Sequence, residues 1–149
     1  MRITHYFQRK NMGKIIHLQL KPTKGAPMKP VSSVEAIADY GLRDDANAGR
    51  TKRQVLIIER EALDEFGLPI GDVRENITVQ GIQLAGLLPG TRLKVGSVLL
   101  EATLDCAPCQ FIEDKRPGLR EAMKGKRGTL FRVIEGGEIK IGDALQVAA

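Results

Sequence analysis

Gly90-Thr91-Arg92-Leu93-Lys94-Val95-Gly96-Ser97-Val98-Leu99 decides how this chain is read. Leu93 and Val95 alternate with polar neighbours, Gly96-Ser97 breaks the run, and apolar alternation resumes at Val98. A period of two marks a half-buried strand, and a glycine pair-turn marks its reversal. The same pattern returns in Gly136-Gly137-Glu138-Ile139-Lys140-Ile141-Gly142-Asp143-Ala144-Leu145. Two copies are too few for a solenoid, which needs at least three. They read instead as two equivalent strand corners of a closed or nearly closed β structure.

The rest of the chain extends that reading. Gly13 to Leu20 is β-rich, with Ile16, Leu18 and Leu20 predicted on one face and His17 on the other. Residues 21–30 form a loop of proline, glycine and lysine. Within 31–41, Val34, Ile37 and Ala38 fall at helical spacing and predict a short helix or turn ended by Gly41. Arg53 to Ile58 reads as a short buried strand, and Glu61 to Phe66 as one amphipathic helix stopped at Gly67. Val73 to Val79 reads as a strand entered through Gly71-Asp72. Strands and helices do not alternate, which argues against a doubly wound α/β fold. The expected fold is mainly β, a β-barrel with a few short helices.

At 149 residues the chain is long enough for one self-supporting core. Residues 13–149 are expected to form that domain, and residues 1–12 a flexible N-terminal extension. Arg2, Arg9 and Lys10 supply three of the five net positive charges, so the charge says little about partners. Aromatic residues make up 4%, with no tryptophan, too few for the stacking platforms of single-strand nucleic-acid binding. No apolar run approaches the roughly 20 residues that span a bilayer. The first residues lack the apolar region of a signal peptide, so a cytoplasmic, reducing location is expected.

In such a compartment a close cysteine pair is catalytic or metal-binding more often than a structural disulfide. The chain's two cysteines stand in Cys106-Ala107-Pro108-Cys109. Three readings are open: a redox dithiol, half of a metal site, or one working thiol with a bystander. Two cysteines and two distant histidines do not make a four-ligand zinc site easily. The following segment, 113–132, is strongly basic and has a weak helical face at Leu119 and Met123. It reads as a solvated basic helix or as an anion-binding flank beside the thiols.

Several motifs then follow one another in a telling order. They are Lys24-Gly25-Ala26-Pro27, Gly41-Leu42-Arg43-Asp44-Asp45-Ala46-Asn47-Ala48-Gly49, Arg53-Gln54-Val55, Gly71-Asp72-Val73-Arg74-Glu75-Asn76-Ile77, Cys106-Ala107-Pro108-Cys109 and Ile141-Gly142-Asp143. Together they resemble the MOSC domain, the family named for the C-terminal domain of molybdenum cofactor sulfurase. The resemblance runs from about Gly13 to Val147. The Gly-Asp-Val-Arg-Glu-Asn stretch, followed about thirty residues later by C-x-P-C, is its most specific part.

That resemblance implies a pyruvate-kinase-type β-barrel. It implies that Cys109 carries sulfur as a persulfide or ligates molybdenum; the proximity of Cys106 suggests that it resolves such a persulfide by forming a disulfide. It also implies that Arg74 and Asn76 help hold molybdenum cofactor, with Arg53 and Lys24 in the same role. The cofactor is a pterin dithiolene bearing a phosphate, for which arginines supply planar donors and a thiolate a soft ligand. A cysteine desulfurase or an electron-donor protein is the implied partner, because the chain carries no flavin, haem or iron–sulfur signature. Asn47 stands where many relatives have histidine, and Ala107 where the reducing relatives have a hydroxyl residue. Two other readings make different predictions: a thiol–disulfide oxidoreductase cycling Cys106 and Cys109, and a non-catalytic binding barrel with inert thiols.

Overall fold

Val55-Leu56-Ile57-Ile58-Glu59 is buried at every position, which a strand achieves only when both of its faces are covered. In the computed structural model, which describes residues 10–148, this strand sits in the wall of a barrel. Val55 and Ile57 face the main core, while Leu56 and Ile58 face outward under loops and helices. Ile57 and Ile58 are fully buried, each contributing about 2 kcal/mol through the area removed from water.

The strands are β1 (Met12–Leu20), β2 (Lys29–Val31), β3 (Ser33–Ile37), β4 (Gly41–Leu42), β5 (Val55–Glu59), β6 (Ile77–Gln80), β7 (Arg92–Val95), β8 (Val98–Asp105), β9 (Thr129–Glu135), β10 (Gly137–Lys140) and β11 (Ala144–Val147). The short helices are α1 (Arg60–Glu65), α2 (Gln110–Glu113) and α3 (Leu119–Ala122). Among the described residues, β1, β6, β5, β9, β8, β7 and β11 pair in that order, and β11 closes back on β1. Closure leaves the barrel wall without free edges at these strands. Every pairing in it is antiparallel except β5 with β6. A smaller sheet, β10-β3-β4, lies beside the barrel and adds Val34, Ala36 and Ile139 to the same core. The expected mainly β barrel with short helices is the observed fold.

Local expectations fare differently. Ser33–Ile37 is a strand rather than a helix: Val34 and Ala36 point inward, and Val34 pairs with Ile139 of β10. In β1 the register shifts between Ile15 and His17, so Ile15, Leu18 and Leu20 enter the core and Ile16 does not. Gln19, on the face opposite Leu18 and Leu20, is buried beneath the turn before β6.

The two echoing segments are not equivalent. In the first, β7 and β8 pair as a hairpin, with Val95 opposite Val98. In the second, β10 belongs to the small sheet and β11 to the barrel, so the Gly142 turn carries the chain from one sheet to the other. Ile15 fixes that corner by donating its N–H to Asp143 O and accepting from Gly142 N–H, at 2.9 and 2.8 Å.

Lys10 O and Asn11 O already accept bonds from Gln83 and Val147 N–H groups, and Met12 opens β1. The remainder of the expected extension, residues 1–9, lies outside the described residues. The basic segment holds α3 and a tight turn, with Leu119 and Met123 buried against Ile58, Leu63, Val73 and Ile112. Among the described residues no helix is long and apolar enough to cross a membrane.

Candidate functional site

Leu56 and Leu130, on the outer face of β5 and β9, pack with Cys106 into a small apolar patch. Over this patch lies a cleft of about 180 Å³. Its walls come from the ends of several elements and the loops between them: the residue after β1, the 45–53 loop, the turn before β6, the segment after β8, and the residues leading into β9.

The turn before β6 is built by a buried carboxylate. Glu75 is fully buried and accepts from Gly71 N–H at 2.8 Å, Val73 N–H at 3.3 Å and the Thr78 hydroxyl at 2.7 Å. Gln19 ties the same turn to β1, donating to Gly71 O and Glu75 O. Held from both sides, the intervening Arg74 adopts a left-handed φ of 61°, unfavourable for a side chain with a Cβ. Its side chain lines the cleft, and its Nη2 donates to Ala26 O at 2.9 Å.

Asn76 does different work. It is buried, and its amide is consumed by the scaffold: Oδ1 accepts from Leu56 N–H, and Nδ2 donates to Asp45 Oδ1 and Gln19 O. Asp45 in turn accepts the N–H groups of Lys21 and Asn47. The Asp-Ala-Asn-Ala-Gly loop is thereby bolted to the start of β6, placing Lys21 and Asn47 on the cleft wall. Gln54 completes the frame, donating to Arg50 O and accepting from Val133 N–H.

Cys106 is buried, with Arg53 Nη2 directed at its sulfur from 3.9 Å. Cys109 is exposed at the cleft, just ahead of α2, where its carbonyl accepts from Ile112 and Glu113 N–H groups. Arg127 also lines the cleft; it is 5% exposed, and its Nε and Nη1 have no hydrogen-bond partner among the described residues. The lining thus carries Lys21, Arg50, Arg53, Arg74 and Arg127 and no carboxylate. Burial holds the Lys21 amine below the ordinary lysine value; Arg74, Arg127 and Arg50 push the same way, and only Asp45 opposes them.

Of the six residues expected at the site, Cys106, Cys109, Arg53 and Arg74 meet in this cleft. Asn76 stands behind its wall, and Lys24 is exposed outside its lining. Arg127 and Lys21 were visible in sequence only as members of basic stretches, and Arg50 only as the end of a polar, turn-prone loop. A shallower shelf continues past Arg74 and Phe111, lined by Met28, Pro30 and Ile70. Among the described residues no group of three or more His, Cys, Asp and Glu could hold a bare metal ion. The cleft offers one accessible thiol and a field of cations, a donor set suited to an anionic ligand.

The fold is shared with known proteins. The YuaD protein of Bacillus subtilis superimposes with a TM-score of 0.76 at 21% identity, covering 91% of this chain and 95% of that one. YiiM of Geobacillus stearothermophilus gives 0.70 at 22% identity, over 93% of this chain and 75% of that one. YiiM of Escherichia coli gives 0.68 at 18% identity, over 91% and 70%. No curated protein matches the chain. The MOSC domain model matches residues 44–146, a span holding the Arg-Gln-Val strand, the Glu75 turn, both cysteines and the Gly142 corner. With that match over most of its length, and the barrel and cleft laid out as above, the chain belongs to the MOSC domain family.

Proposed function

We propose that this protein binds molybdenum cofactor in the cleft, with Cys109 as the soft protein ligand. The observation that supports this most strongly is the combination of one exposed thiol with five cationic side chains and no carboxylate. A pterin dithiolene brings sulfur ligands for its metal, so a single thiolate is the ligand type left to supply. It also brings a phosphate, for which buried and half-buried guanidinium groups are matched donors. When bound, the group supplies two-electron redox chemistry at molybdenum. Arg53 and Arg74 orient the ligand, Asn76 and Glu75 hold the loops that carry the cations, and Leu56 and Leu130 exclude water from the floor.

A second reading, sulfur carriage, is favoured by the exposure of Cys109 to an approaching partner. Its thiolate would attack the outer sulfur of a desulfurase persulfide, forming a persulfide on Cys109 as the donor's thiolate leaves. Anaerobic titration with molybdenum cofactor tests the first reading. Tight binding that Cys109→Ala weakens and Cys106→Ala leaves nearly unchanged is expected; absence of binding in the wild type overturns it. Incubation with a cysteine desulfurase and cysteine tests the second, the expected result being one added sulfur atom on Cys109 by mass.

A further inference from the structure

Arg127 combines a full charge, near-complete burial and two unpartnered nitrogens among the described residues. A guanidinium does not shed its proton inside a protein, so it cannot escape the penalty by becoming neutral. Buried charges are stable only when paired and hydrogen-bonded. The other charged side chains that line the cleft, Lys21, Arg50, Arg53 and Arg74, are all cations.

The backbone leaves Arg127 little choice of position. Gly128 follows at φ 127°, with Leu56 Cδ1 2.9 Å and Ile57 O 3.2 Å from where a Cβ would stand. Its carbonyl accepts the Cys106 N–H at 2.9 Å, and Thr129 pairs with both Ile57 and Asp105. Arg127 is therefore pinned where β9 enters the sheet, beside the cysteine segment.

The space around it is small. About 180 Å³ has room for a tetrahedral oxyanion at the cationic end of a larger ligand. A larger ligand would have to extend over the adjoining shelf past Arg74 and Phe111. We infer that Arg127 is the buried anchor of a subsite for a dianionic phosphate group, either free phosphate or the phosphate-monoester end of a larger molecule. A dianion neutralises more of the cluster than a phosphodiester, and its oxygens can accept from the Arg127 guanidinium together with the surrounding cations. The Lys21 amine, lowered first by burial, is pushed the same way by Arg74, Arg127 and Arg50.

This deepens the cofactor reading, but its test does not depend on the cofactor. Inorganic phosphate, phenyl phosphate and dimethyl phosphate would be titrated calorimetrically into the full chain at fixed ionic strength, with wild type, Arg127→Met and Lys94→Met. Lys94 is an exposed cation on β7, outside the cleft. Phosphate and phenyl phosphate are expected to bind the wild type at least tenfold more tightly than the diester. Arg127→Met should lose at least tenfold of that affinity, and Lys94→Met none. Phenyl phosphate binding more tightly than free phosphate identifies a monoester as the natural source, and the reverse order identifies inorganic phosphate.

Equal affinity in wild type and Arg127→Met overturns the inference, as does equal affinity for the diester. A wild-type measurement guards against a variant that fails to fold: the Arg127 Nε–H resonance should move as phosphate is added. If that resonance stays fixed while phosphate binds, the inference also fails. Phosphate binding through Arg127 without cofactor binding leaves this inference standing and removes the cofactor reading. Cofactor binding indifferent to Arg127→Met does the opposite.

Discussion

Leu56 and Asn76 exchange two hydrogen bonds: the Leu56 N–H donates to Asn76 Oδ1 at 3.0 Å, and the Asn76 N–H donates to Leu56 O at 2.8 Å. A side chain thus continues the β5–β6 pairing one step beyond the strand and leaves its other end, Nδ2, to hold Asp45. Replacing Asn76 with Ala would strand the Leu56 N–H in a buried site and free Asp45 to move. Each buried polar group left unpaired costs about 1–3 kcal/mol, so Asn76→Ala should destabilise the fold by about 3 kcal/mol in urea denaturation. Asp45→Ala should cost less alone, and the double variant less than the sum, because both break the same link. Additive losses would show that the two residues act separately.

The two thiols should differ sharply in reactivity. Cys106 is 5% exposed and packed against Leu56 and Leu130, whereas Cys109 is open to solvent. A disulfide reagent is expected to modify one thiol per chain quickly in the native protein, and the second at least tenfold more slowly. Cys109→Ala should remove the fast phase, while Cys106→Ala should keep it at a stability cost of about 1 kcal/mol. Two equally fast thiols would favour the dithiol oxidoreductase reading.

How legible this site was depends on which physics each residue obeys. The apolar run Val55 to Ile58 of β5 and the alternation in β7 and β8 are set by burial, which leaves a trace in sequence. Val34, Ile37 and Ala38 fit a helical period as well as Val34 and Ala36 fit a strand. The pairing of Val34 with Ile139, far along the chain, makes Ser33–Ile37 extended. The bulge at Ile15–His17 depends on register with β6 and could not be read locally. Arg120 and Arg127 look alike in a basic segment, yet the first is exposed and the second buried, because Gly128 carries only the latter into the sheet. Lys21 and Lys24 differ for a similar reason: Asp45 grips the Lys21 backbone, and Lys24 lies out in the loop.

Lys21 should make the cleft's strain measurable. Its folded pKa lies below its ordinary 10.5, first through burial and then through Arg74, so between the two values the unfolded chain binds more protons. Stability therefore rises with pH across that window, and the charged amine is a burden below it. Lys21→Met keeps the apolar stem and the backbone bond to Asp45. Without added anions it should be more stable than wild type at pH 7, by at most about 1 kcal/mol once solvent screening is allowed for. The advantage should fade as pH climbs through the lowered value toward 10.5, and phosphate affinity should fall. A Lys21→Met protein less stable than wild type at pH 7 would mean that the amine has a stabilising partner in the cleft.

Arg74 offers the complementary test, because its cost is conformational. At φ 61° an L-residue is disfavoured by about 1–2 kcal/mol relative to glycine. Arg74→Gly and Arg74→Ala both lose the bond to Ala26 O and one cation of the cleft, but only Ala keeps the strain. Glycine also carries an entropic cost of about 0.5–1 kcal/mol in the unfolded chain, so the net gap should be about 1 kcal/mol in favour of Arg74→Gly. Phosphate affinity should drop equally in both. Equal stabilities would mean that the turn relaxes when Arg74 is cut back, and that Glu75 and Gln19 do not impose its backbone angle. A gap of the expected sign would mean that the Glu75 carboxylate holds the backbone in a disfavoured shape, and that the shape serves to aim a guanidinium into the cleft.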